Sequence, residues 1–132
     1  MLKLGVLHPQ LARVLADQRH MDTLIIGDAG LPVPKGVERI DLGWRAGDPR
    51  YVDVLEELLK YFVVEKAILA DEMKEVSPHI HEKTLALLPE GVEVEYIAHS
   101  EFKEQSKEAR AIILTGEFTP YANIILVSGC AF

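Results

Sequence analysis

The feature that most constrains this chain is a set of short runs, rich in aliphatic and β-branched residues, that mostly lack alternation. They fall at Thr23–Gly27 (TLIIG), 67–70 (AILA), 92–97 (VEVEYI), 111–114 (AIIL) and 123–127 (NIILV). A strand with one wet face alternates apolar and polar residues, so a continuous apolar run predicts a strand covered on both faces. Residues 92–97 do alternate, which predicts a position nearer an edge. Helical periods lie between the runs. Pro9 opens a helix with Leu11, Val14 and Leu15 inward, and Asp48-Pro49 precedes Val52, Leu55, Leu59 and Phe62. Ser77-Pro78 begins another helix, with Ile80, Thr84, Leu87 and Leu88 inward, and residues 100–107 read as a short polar-faced helix. Strands alternating with helices predict an α/β fold: a single three-layer domain spanning residues 1–132, with a largely parallel sheet. A length of 132 residues suits one such domain.

Charge narrows the partners. The net charge is −7 and the basic residues are interspersed with acids, as in residues 101–107. A nucleic-acid or anionic membrane surface wants clustered Lys and Arg, so neither is expected, and a small neutral substrate fits better. The single cysteine, Cys130, permits no internal disulfide and fits a reducing compartment. No apolar run approaches the ~20 residues needed to span a bilayer, and His8, Pro9, Gln10 and Arg13 interrupt the apolar start. A cytoplasmic location is the expectation.

In parallel sheets ligands bind beyond the carboxyl ends of the strands, so the segments after each run carry the chemistry. After the first comes Asp28-Ala29-Gly30-Leu31-Pro32-Val33-Pro34, a carboxylate on a loop stiffened by two prolines. Asp28 could accept two hydrogen bonds from a sugar, or close an Asx turn on its own backbone. After residues 111–114 comes Thr115-Gly116-Glu117-Phe118-Thr119-Pro120-Tyr121-Ala122-Asn123. Tyr121 and Asn123 offer an aromatic face, a hydroxyl and an amide suited to a polyol, or simply packing and a turn.

The histidines divide similarly. His20, between the first helix and first strand, suits either the helix's negative end or proton transfer near neutrality. His99 follows the third run, residues 92–97, at a carboxyl end and serves either as a ligand or at the start of a helix. His79 and His81, after Ser77-Pro78, open a helix on which residues two apart diverge, which disfavours metal binding. His8 reads as a cap or surface residue. Dinucleotide, P-loop, nucleophile-elbow and H-E-x-x-H patterns are absent, leaving histidine, carboxylate, tyrosine and asparagine chemistry without a cofactor or metal.

These residues resemble the ribose/fucose mutarotase family from end to end. The resemblance rests on Gly5-Val6-Leu7, His20-Met21-Asp22-Thr23, the Asp28-to-Pro34 loop, Arg39-Ile40-Asp41-Leu42, residues 116–124 and the terminal Phe132. It implies an α/β fold, a homo-oligomer (often a decamer of two stacked pentamers) and conversion of β-D-ribopyranose to the furanose form. His20 matches the family's proton donor. Asp28, His99, Tyr121 and Asn123 match sugar-binding positions, and Lys103 matches one less closely. A non-catalytic sugar-binding or transport-accessory protein and an L-fucose mutarotase are the rival expectations. A site assembled between subunits is expected too, because His20 lies early in the chain and most sugar ligands late.

Overall fold

The computed structural model describes Met1–Phe132. In chain order the elements are α1 (Pro9–Asp17), β1 (Thr23–Gly27), β2 (Glu38–Asp41), α2 (Tyr51–Leu58), β3 (Val64–Ala70), α3 (Glu72–Val76), α4 (Pro78–Leu87), β4 (Glu93–Ile97), α5 (His99–Gln105), a 3-10 turn (Ser106–Glu108), β5 (Ala111–Leu114) and β6 (Ile124–Ser128). All five predicted strands are present. The sixth, β2, is a four-residue edge strand in which only Ile40 is buried, so it carries no continuous apolar run.

The six strands form one sheet in the order β2-β5-β1-β6-β3-β4. The β2–β5, β5–β1 and β3–β4 pairs are parallel, whereas β6 runs antiparallel to both β1 and β3. The reversal has a simple cause. Only residues 115–123 join β5 to β6, and a parallel crossover needs roughly a dozen residues or more. Because β6 lies beyond β1, that short connection must pass over the C-terminal end of β1.

Each face of the sheet is covered, which explains the unbroken apolar runs. Leu24, Ile26, Ala67, Leu69, Ile113 and Leu126 pack on one side with Leu11 and Val14 of α1, Leu55 and Leu58 of α2, Met73 of α3 and Ile80 of α4. Ile25, Ile68, Ile112 and Ile125 pack on the other with Leu31 and with Phe102 of α5. The three-layer expectation therefore holds. α2 begins at Tyr51, so its inward stripe is Tyr51, Val54, Leu55 and Leu58 rather than the one starting at Val52. Phe62 is buried beyond the helix end. β4 takes the predicted edge position.

Candidate functional site

The crossing of residues 115–123 over β1 brings two distant segments together. Thr115 Oγ1 donates to the Gly27 carbonyl at 2.8 Å, and the Ala29 N–H donates to the Glu117 carbonyl at 2.9 Å. Asp28, the first residue beyond β1, is held by Asn123. Its N–H donates to Asn123 Oδ1 at 2.8 Å, and its Oδ2 accepts from Asn123 Nδ2 at 3.0 Å. Asn123 is completely buried, so its amide is committed to this bracing. Asp28 Oδ1 also accepts from the Gly30 N–H at 2.9 Å. The Asx turn and the ligand reading thus coexist. Two of about four lone-pair positions on the carboxylate are used, leaving acceptor capacity toward the cleft.

Space at Gly27 is tight. A Cβ would sit 2.6 Å from Leu31 Cδ2 and 2.9 Å from Asn123 Oδ1. Gly116 is similarly confined, since a Cβ would lie 2.4 Å from the Asp48 carbonyl oxygen.

Across the cleft stands Tyr121, whose backbone is left-handed at φ +61°. That conformation is costly for a non-glycine residue and persists only where its surroundings impose it. The Asn123 N–H donates to the Tyr121 carbonyl at 2.8 Å. The Tyr121 ring meets His99 edge-on, with centroids 5.0 Å apart and planes at 85°. His99, the first residue of α5, also stacks on Phe102. Its N–H donates to both carboxylate oxygens of Glu72, at 3.1 and 3.0 Å, and its Nδ1 is buried without a partner. Burial first, and then the Lys103 charge, hold the imidazole below its usual pKa, against the opposing pull of Glu72 and Asp28. The neutral ring is therefore the favoured form near neutrality.

Asp28, Gly30, His99, Glu117, Thr119 and Tyr121 line a cleft of about 480 Å³, a volume suited to a monosaccharide. Exposed Phe118 stands at its rim. Glu117 is a buried carboxylate that the sequence reading did not single out. It accepts from Thr119 Oγ1 at 2.9 Å, from the Thr119 N–H at 3.3 Å and more distantly from the Tyr51 N–H at 3.4 Å. Its position inside the 115–123 segment was the available signal.

Of the expected site residues, Asp28, His99, Tyr121 and Asn123 come together. Lys103 lies one turn along α5 from His99, exposed and outside the cleft lining. His20 sits at the opposite end of β1, roughly 15 Å of strand away. There its Nε2 pairs with Glu65 Oε2 at 3.0 Å, and its side chain is 51% exposed. The next residue, Met21, is also left-handed, at φ +73°. His8 caps α1, accepting from the Leu11 N–H at 3.2 Å. His79 and His81 lie in α4, with His81 Nε2 2.7 Å from the Tyr96 hydroxyl. No cluster of three or more His, Cys, Asp or Glu side chains is arranged to hold a metal ion. No helix is long and apolar enough to cross a membrane.

Comparison with known proteins places this geometry in context. A model of the RbsD / FucU transport protein family matches residues 1–131. The D-ribose pyranase of Lactobacillus gasseri is 49% identical over 132 residues, covering 100% of both chains. The structure of Bacillus subtilis RbsD complexed with D-ribose superposes with a TM-score of 0.96 at 45% identity, covering 100% of both chains. FucU from Bifidobacterium longum superposes less closely, with a TM-score of 0.80 at 25% identity over 94% of this chain and 96% of its own.

Proposed function

Because the chain belongs to the RbsD / FucU transport protein family, we propose that it is a sugar-ring isomerase that interconverts β-D-ribopyranose and β-D-ribofuranose. The observation that carries this reading is the Asp28–Asn123 pair beneath a cleft of monosaccharide size. The nearer likeness to a D-ribose-bound RbsD than to a FucU favours ribose over fucose as substrate.

Ring interconversion needs two proton transfers and no redox step. A base removes the proton of the anomeric hydroxyl, the bond from the anomeric carbon to the ring oxygen breaks, and an acid protonates that oxygen. The open aldehyde is then attacked by a different hydroxyl, which loses its proton as the carbonyl oxygen gains one. Each well-placed acid or base contributes about 10²–10⁴-fold. Asp28 accepts from sugar hydroxyls in fixed geometry, while His99, Tyr121 and Asn123 shape and brace the wall. Lys103 adds positive charge beside His99. His20 exchanges the critical proton.

Within one subunit His20 lies at the wrong end of the sheet for that role. The reading therefore places it in the cleft of a neighbouring copy, in a homo-oligomer taken to be a decamer of two pentamers. Its exposure and the strained Met21 beside it support this, since backbone strain concentrates at functional sites. The exposed aromatics Trp44 and Phe118 offer apolar surface for a neighbour to cover. A cytoplasmic location fits an enzyme acting on free intracellular sugar.

The family's description as transport proteins keeps a sugar-binding accessory as the competing reading. Saturation-transfer NMR on free D-ribose separates the two. The enzyme reading expects protein-dependent exchange between pyranose and furanose signals, whereas ribose binding with unaccelerated exchange would favour the accessory. L-fucose in the same measurement checks substrate preference.

A further inference from the structure

Glu72 carries a further role, which rests on the sugar-binding reading of the cleft. It does not line the cleft, and the sequence gives no sign that it serves it. The sheet register supplies the connection. β3 and β4 pair in parallel with Ala70 opposite Ile97, the last residue of each strand. Glu72 stands two residues beyond the first and His99 two residues beyond the second, so they leave neighbouring strands at the same height. The Asp71 N–H donates to the Ile97 carbonyl at 2.8 Å and ties the two exits together.

α5 has only seven residues, and the residue preceding it, Ala98, has no side-chain acceptor to offer. The first N–H groups of a helix have no partner within the helix and must find one elsewhere. At His99 the acceptor comes from α3, as both oxygens of Glu72. α3 is fastened at its other end as well, because the Ser77 hydroxyl donates to the Pro120 carbonyl, next to Tyr121. One short helix is thus stapled to both sides of the His99–Tyr121 contact. Lys103, Asp28, Phe102 and Tyr121 surround the imidazole, but none of them receives the His99 N–H.

We propose that Glu72 is a positioning residue: by capping α5 it holds the His99 imidazole against Tyr121, so that this wall of the cleft is set before the sugar arrives. Glu72→Ala and Glu72→Gln in the full-length protein test it, by calorimetric ribose binding, by kcat and KM, and by crystal structures of both variants. Removing a hydrogen bond to a charged acceptor predicts ribose binding roughly ten-fold weaker in Glu72→Ala. KM should rise while kcat stays within about two-fold, because the loss is of binding rather than of proton exchange. Glu72→Gln keeps one acceptor oxygen and should stay within about three-fold of the parent. The 5.0 Å ring contact should open in the Ala variant and persist in the Gln variant.

A folded Glu72→Ala that binds ribose as the parent does, or keeps His99 on Tyr121, would overturn the proposal. So would a Gln variant as impaired as Ala. If Ala does not fold, Glu72→Asp, which keeps the charge but loses reach, should weaken binding, and parent-like binding would be contrary. If the parent itself fails to bind ribose, the functional reading is what fails, and the ring position in the crystal structures still decides the role of Glu72.

Discussion

Asp28 joins the fold to the site through a residue 95 positions away. Asn123 both accepts from its N–H and donates to its carboxylate, so the side chain that fills the end of the core also fixes the Asp28 carboxylate at the cleft. Asn123→Ala would strand a main-chain donor and free the carboxylate to rotate. It should cost about 1–3 kcal/mol, read from urea unfolding. It should also slow ribose exchange roughly a hundred-fold, as expected when a reacting group is misplaced. His99 yields a pH prediction. Its imidazole resists protonation in the folded protein, chiefly through burial, so the unfolded chain binds the extra proton first. Its contribution to stability is therefore complete above a pH of about 6.5 and declines as pH falls from there through the lower folded-state value. Urea midpoints at pH 7.5 and 5 should show a smaller acid loss in His99→Gln than in the parent, and equal losses would contradict this.

At the scale of elements, the site depends on the tight passage of residues 115–123 over β1. Gly27→Ala would drive a methyl into Leu31 and Asn123 Oδ1, and Gly116→Ala would drive one into the backbone of Asp48. Each should lose about 1–3 kcal/mol to overpacking. Gly27→Ala should lose ribose affinity as well, because its clash falls on the side chain that braces Asp28. Thermal melts beside ribose calorimetry will read both. Four strands were legible as unbroken apolar runs because both faces of the sheet are covered there, and β4 was legible from the alternation that suits its edge position. β2 was not, since its one buried residue, Ile40, sits among charges, and neither was α3, whose only buried residue is Met73. The loops at the carboxyl ends of β1 and β5 could be read as a candidate site from position alone. The Glu72–His99 contact could not, because it depends on the register between β3 and β4 across 27 residues of chain. Nor could the depth of Glu117, which follows from β6 reversing direction.

At the scale of the whole molecule, the two parts of the proposed site lie at opposite ends of one sheet. The cleft lined by Asp28 lies beyond the carboxyl end of β1, and His20 lies before its start. A single copy cannot bring them together, so activity should follow assembly. Sedimentation and exchange assays over a dilution series should lose oligomer and activity in step. Mixing variants shows whether one site draws residues from two copies. His20→Ala and Asp28→Asn, each assembled alone, should leave ribose pyranose–furanose exchange near the uncatalysed rate by saturation-transfer NMR. Dissociated and reassembled together in equal amounts, they should recover about a quarter of the parent activity, since that share of shared sites draws both intact residues. Full activity in His20→Ala alone, or no recovery in verified mixed oligomers, would contradict the account.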